Sequence, residues 1–296
     1  GINSMAITRF PTGSAGIIVE HSYCLDKSRH RSEEHVSIYI PEQVDPLCDR
    51  LMTARARCDG MLRCIVQENE KKQNELSMHI EEGNIFLLAA RKIGKDWVIS
   101  AQPRAPERAA LARLRSHSGG VFTCVRQCTL ATAVARSSAV GVPVTLQIEH
   151  MVDQGSDDLP ELNAMMVAVP YMASSDVSDE SSPSSELECS STELAKQLRI
   201  ANDTPNAMPR RGSVVLETKR PKWNSQDELY ELPFHGRANR ASERNLQLTV
   251  LDGRQGTDGK TVLLHGKLDE RLFALDFAYP LSPLHAFAIC CSTFSW

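Results

Sequence analysis

The chain closes on LDFAYPLSPLHAFAICCSTFSW, its most apolar stretch, and this tail limits the fold more than any other feature. Ser282-Pro283 is a helix start, because serine caps a first turn and proline fits its fixed φ. Beyond it, Leu284, Ala286, Phe287, Ala288, Ile289, Cys290, Cys291 and Phe294 cover every face of a helix. A helix that is apolar all round must be enclosed on all sides. A membrane span takes about 20 apolar residues. The stretch from Leu284 to Trp296 is shorter than that and carries His285, Ser292, Thr293 and Ser295. The enclosure must therefore come from the protein's own strands. A large antiparallel barrel is the architecture wide enough inside to need such a filler. On this reading Cys290 and Cys291 are small core hydrophobes.

The residues upstream supply the strands. MLRCIVQENE, ELSMHI, IFLLAARK, KDWVISAQ, VFTCVRQ, VPVTLQIEH and NAMMVAVPYM are short apolar or alternating runs with polar turns between them. Five more follow in SVVLETKRPKWN, ELYELPFHGRAN, RNLQLTVLD, KTVLLHGKL and RLFALDFAY. Their close spacing argues for an antiparallel sheet or barrel and against βαβ units. PERAALARLRS, with Leu111 and Leu114 at helical spacing, reads as a helix. SSDVSDESSPSSELECSST has no aromatic residue and reads as a mobile acidic, serine-rich insertion at about residues 173–195, a composition that also suits phosphorylation. Residues 1–49 read as an N-terminal extension with one strand-like run, VSIYI, and the GINS before Met5 as an appended remnant. The barrel domain is expected over residues 50–296.

Chemistry-bearing motifs are scarce. GRQGTDGKT imitates a phosphate-binding loop, but its glycine spacing is wrong and the strand-like VLLHGKL follows it where a helix is required. It reads as a hairpin loop. No H-E-x-x-H, C-x-x-C or G-x-S-x-G occurs, so neither a metal site, a cofactor nor a catalytic centre is expected. Nine cysteines without paired spacing, and no secretory leader, point to a reducing cytosol. A net charge of -4 argues against a surface devoted to nucleic acid. Within it, however, the stretch from Phe86 to Arg126 holds eight Lys or Arg against two Asp or Glu. Arginine forks bind phosphate oxygens in pairs, so this is a candidate phosphate-binding region.

FHGRANRASERNLQ resembles the signature of the tubby domain, F-basic-G-R-V-S/T-x-A-S-V-K-N-F-Q. Phe234, His235, Gly236, Arg237, Ala241, Ser242, Asn245 and Gln247 match it, while Ala238, Asn239, Glu243, Arg244 and Leu246 depart. PKWN upstream and the AFAI core of the tail are similar to the same family, as are FLLAARK, LRSHSGGVFTC and NAMMVAVPYM more faintly. The family's closing Cys-Glu is absent. The resemblance implies a mainly β fold, a closed antiparallel β-barrel of about twelve strands around a central C-terminal α-helix.

It also implies a non-enzymatic adaptor, monomeric, cytoplasmic and peripheral at the plasma membrane, with ciliary or nuclear roles known in the family. Its ligand would be phosphatidylinositol bisphosphate headgroups and its partner a trafficking or signalling protein. Carried over, the headgroup contacts are Arg91, Lys92, Arg113 and Arg115. The family's dense basic loop after this strand is reduced to Ile93-Gly94-Lys95, which weakens the electrostatic term by about 1 kcal/mol per missing charge. Two other readings are a nucleic-acid-binding transcription regulator and a protein-interaction scaffold whose lipid site has weakened.

Overall fold

A computed structural model describes residues 5–9, 15–19, 51, 60–72, 74–126, 144–153, 160–170, 191–203, 213–226, 229–251 and 259–296. Its strands are β1 (Met5–Arg9), β2 (Ala15–Val19), β3 (Leu62–Glu68), β4 (Glu75–Ile80), β5 (Ile85–Ile93), β6 (Asp96–Ser100), β7 (Ala112–Ser116), β8 (Val121–Arg126), β9 (Val144–Asp153), β10 (Leu162–Pro170), β11 (Ser213–Thr218), β12 (Lys222–Asn224), β13 (Leu229–Glu231), β14 (Leu246–Val250), β15 (Thr261–Asp269) and β16 (Leu272–Phe277). Its helices are α1 (Ser191–Asp203) and α2 (Pro283–Thr293).

Twelve of the strands, β3 to β11 and β14 to β16, close into an antiparallel barrel. Alternation along each strand sends one set of side chains inward. Phe273, Val66, Met78 and Leu88 lie opposite one another on β16, β3, β4 and β5, and all four are buried in the core. The tail is the filler that the sequence requires. Every residue of α2 from Leu284 to Thr293 is buried. Ser282 caps it: its hydroxyl accepts from the His285 N–H at 3.1 Å, and its own N–H donates to His285 Nδ1 at 3.4 Å. Burying a side chain such as Phe287 or Ile289 contributes about 1.5–3 kcal/mol, which is why a barrel can hold an isolated helix so firmly. Burial pushes the Cys124 thiol up to about 11 and the Cys290 and Cys291 thiols higher still, so all three remain protonated packing groups.

The structure corrects the helix expected over PERAALARLRS. Only Glu107–Ala109 makes a 3-10 turn, and Ala112–Ser116 is the barrel strand β7. Ala112 and Leu114 face inward with period two, and β7 pairs with both β6 and β8. Two flanking ladders outweigh the helix propensity of Ala, Leu and Arg.

ELYELPFHGRAN also differs from expectation. It gives only β13, which lies outside the barrel in a four-stranded sheet ordered β12-β13-β1-β2. Within the expected N-terminal extension, β1 and β2 form a hairpin that pairs with β13, while VSIYI lies outside the described residues. Most of the acidic serine tract also lies outside them, and α1 begins at Ser191. Helix α1 buries Leu194, Leu198 and Ala201 against Met166, Ala168 and Val215 on the outer wall. β14 and β15 are antiparallel neighbours, while most of GRQGTDGKT, read as a hairpin loop between them, lies outside the described residues.

Candidate functional site

The anticipated basic residues fall on three adjacent strands. Arg91 on β5 lies opposite Val98 on β6, and Val98 lies opposite Arg113 on β7. Residues directly opposite share a face, so Arg91 and Arg113 stand on the outer wall about 10 Å apart, two strand spacings. Arg115 is two residues along β7 on the same face. The three arginines therefore share one face of neighbouring strands.

Lys92 is not part of it. Neighbours on a strand point to opposite sides, and Lys92 lies opposite the buried Trp97. Its ammonium sits 5.6 Å from the Trp97 ring centre and donates to Ser295 Oγ at 3.4 Å. It thus lies beside the residues that follow α2.

Acidic neighbours separate the outer arginines further. Arg113 is engaged by Asp96 at 3.5 Å and by Glu107. These are the two acids counted within the basic stretch, and both converge on one arginine. Glu75 lies opposite Arg91, but its carboxylate is taken by Lys72 at 3.1 Å and by Asn69 Nδ2 at 3.1 Å. Arg91 and Arg115 have no acidic partner among the described residues. Their charge is the part of the cluster available to a ligand.

The FHGR stretch has a different role. His235 and Gly236 take left-handed φ values of 48° and 78°, which turn the chain back over the barrel wall. Arg237 Nε and Nη2 grip both oxygens of Asp276 on β16 at 2.7 and 2.6 Å. Its Nη1 reaches both oxygens of Glu81, at the β4–β5 turn, at 2.8 and 2.9 Å. Gly266 on β15 must be glycine, since a Cβ there would lie 2.4 Å from the Arg237 carbonyl oxygen. Asn245 and Gln247 then satisfy the loop: Asn245 Nδ2 donates to the Arg240 carbonyl at 2.8 Å, and Gln247 Nε2 to that of Pro233 at 2.6 Å.

The most specific stretch of the sequence is thus a structural clamp, and Arg237 has no capacity left for a ligand. Its side chain is 12% exposed and that of Asp276 6%. Arg237→Ala should cost about 3 kcal/mol by stranding a buried carboxylate, read as a lower urea midpoint. Arg237→Lys, which keeps the charge without the fork, should recover less than half of that. An unchanged midpoint for Arg237→Ala would remove the clamp from the account.

Among the described residues no cluster of His, Cys, Asp and Glu could hold a metal ion, and no helix is long and apolar enough to cross a membrane. What fold and site define together is a helix-plugged antiparallel barrel that presents a small cationic patch on its outer wall. A Tub family model matches residues 52–296, and the chain belongs to that family. It is 29% identical to tubby-like F-box protein 9 of Arabidopsis thaliana over 80% of this chain and 72% of that protein. It is 42% identical to tubby-related protein 2 of Mus musculus over 28% of this chain, a match that covers 14% of the mouse protein. It is 36% identical to tubby-like F-box protein 11 of Oryza sativa subsp. japonica over 34% of this chain and 26% of that protein.

Proposed function

We propose that this protein is a phosphoinositide-binding adaptor, held reversibly on an anionic membrane through the outer wall of β5 and β7. The observation that carries this reading is that Arg91 and Arg115 share one face with no acidic partner among the described residues. Membership of the Tub family supports it, since the resemblance implies a phosphoinositide ligand. A bisphosphate headgroup offers several oxygens to two planar forks, and each bidentate pair is stronger than a point-charge contact. Arg113 contributes less, because Asp96 and Glu107 already neutralise it. Docking by one cationic patch on a chain of net charge -4 gives weak, orientation-specific attachment. The membrane partner is phosphatidylinositol bisphosphate, and the face left free would present a trafficking or signalling partner at the plasma membrane.

The test is sedimentation with vesicles containing phosphatidylinositol 4,5-bisphosphate. Arg91→Ala with Arg115→Ala should weaken binding about ten- to a hundredfold, about 2 kcal/mol for two basic contacts and more if both are bidentate. Lys92→Ala should change it less than threefold. Unchanged binding by the double variant would overturn the assignment, and so would a Lys92→Ala loss equal to that of the arginines.

A further inference from the structure

The barrel wall is not evenly closed. β10 pairs with β11 only from Met166 onward, opposite Glu217, although it continues alongside β9 to Leu162. At the end of the β10–β11 ladder, the Thr218 hydroxyl replaces a main-chain partner. It accepts from the Met165 N–H at 2.9 Å and donates to the Met165 carbonyl at 3.2 Å. The chain then leaves with β14, where the Lys219 N–H donates to the Gln247 carbonyl at 2.8 Å. Between the diverging strands lies a cavity of about 350 Å³, lined by Leu162, Ala164, Met165, Leu232 and Leu246 among others.

Three features of this slot point to the same occupant. The first is a free strand edge. Main-chain groups alternate sides along an antiparallel strand, and those of Met165 point toward β11. Those of Asn163, two residues earlier, point the same way, where β11 no longer runs opposite. An N–H and a C=O are therefore offered to an incoming backbone. The second is the apolar part of the lining, Leu162, Ala164, Met165, Leu232 and Leu246, which takes an apolar side chain. The third is the rim. Arg220, 75% exposed, is held by Asp153 at 3.1 Å, and Lys219 has no acidic partner among the described residues. Asp153 and Glu217 stand on the same rim, so Lys219 is the charge left there to meet a carboxylate.

We infer that the slot between β10 and β11 binds an extended segment of a partner protein by strand addition. The segment pairs its backbone with Asn163, inserts one large apolar side chain into the cavity, and sets an acidic residue against Lys219. In strand addition of this kind, main-chain hydrogen bonds give affinity and the side-chain pocket gives selectivity. The slot is separate from the lipid-facing wall, since β8 and β9 lie between β7 and β10. One molecule can then hold a membrane and a protein segment together.

The probe is a displayed random octapeptide library, selected on the whole chain and counter-selected on the Ala164→Phe variant, which fills the slot. Selected peptides should carry a large apolar residue beside an acidic one. Their affinity should fall at least tenfold for Ala164→Phe, and equally on N-methylation of a single peptide amide. The melting temperature and phosphatidylinositol bisphosphate vesicle sedimentation of the variant should remain as in the parent chain. Where Ala164→Phe lowers the melting temperature, Asn163→Pro removes the free N–H alone and should also cost tenfold in peptide affinity. A library with no enrichment over the counter-selection would overturn the proposal. So would selected peptides that bind both variants as well as the parent, or that tolerate N-methylation at every amide. Because vesicle binding is read separately, failure of the slot leaves the lipid reading intact, and the converse also holds.

Discussion

Ala288→Asp should leave no folded protein. Ala288 is completely buried in the middle of α2, the helix that the barrel surrounds. Among the described residues, the cations that touch the tail do so beyond the helix, where Lys92 bonds to Ser295 and the Arg244 guanidinium lies 4.5 Å from the Phe294 ring centre. An unpaired buried charge costs several kcal/mol even after the group neutralises itself. A domain's whole stability is about 5–15 kcal/mol. Ala288→Ser, which adds one hydroxyl able to bond back to its own helix, should instead lower the urea midpoint only modestly. Circular dichroism and size-exclusion chromatography of the two variants check this. A soluble Ala288→Asp protein with a cooperative melt would show that α2 is not enclosed. The same substitution in an exposed membrane anchor would weaken attachment and leave the barrel intact, so the result also separates these two readings of the tail.

The tail was legible in the sequence because its property is local. An all-round apolar helix with a Ser-Pro start can be read without knowing its surroundings. The barrel strands were legible for the same reason, each being a short run between turns. The errors occur where non-local pairing decides. Residues 106–116 have helix-forming composition, and only the ladders with β6 and β8 make Ala112–Ser116 a strand. Arg91 and Lys92 are adjacent in the motif that the resemblance matches, and adjacency on a strand sends them to opposite faces. The neutralisation of Arg113 depends on where Asp96 and Glu107 return to the wall.

Arg237 was visible as part of a motif, but its partners Glu81 and Asp276 are 156 and 39 residues away. The motif therefore revealed the family without revealing the clamp. The slot beside β10 left no local signal, since it is set by the place where one ladder stops and Thr218 takes over. The clamp and the cationic patch are mechanically joined. Glu81 sits at the turn that leads into β5, so Arg237 ties the strand carrying Arg91 to β16. A variant that loses the clamp should for that reason be compared in lipid binding only after its fold has been measured.

Acid should unfold the domain through its buried histidines as pH falls from about 6.5 toward 4. His150 and His265 flank the plug and His285 belongs to its first turn, and each is kept neutral by burial. Desolvation lowers His150, His265 and His285 from the ordinary 6.5 to about 4. His265 sits between Phe273, stacked at 5.4 Å, and the α2 side chains of Cys290 and Thr293. His150 meets Ser292 Oγ at 3.0 Å, and His285 provides one half of the α2 cap. A proton on His285 Nδ1 would remove the acceptor that the Ser282 N–H uses.

The unfolded chain binds these protons near pH 6.5 and the folded chain only near pH 4, so stability is full above about 6.5 and falls as pH drops toward 4. By pH 5 each histidine should withdraw about 2 kcal/mol, on the order of 6 kcal/mol for three independent sites. That is comparable with the whole stability of a domain. Urea midpoints measured at pH 7.5, 6 and 5 should fall steeply across this window, and His150→Phe should flatten the fall by about a third. Midpoints that stay level from pH 7.5 to 5 would mean that water or a counter-charge reaches these rings, and the plug would then not be sealed at the ends that they line.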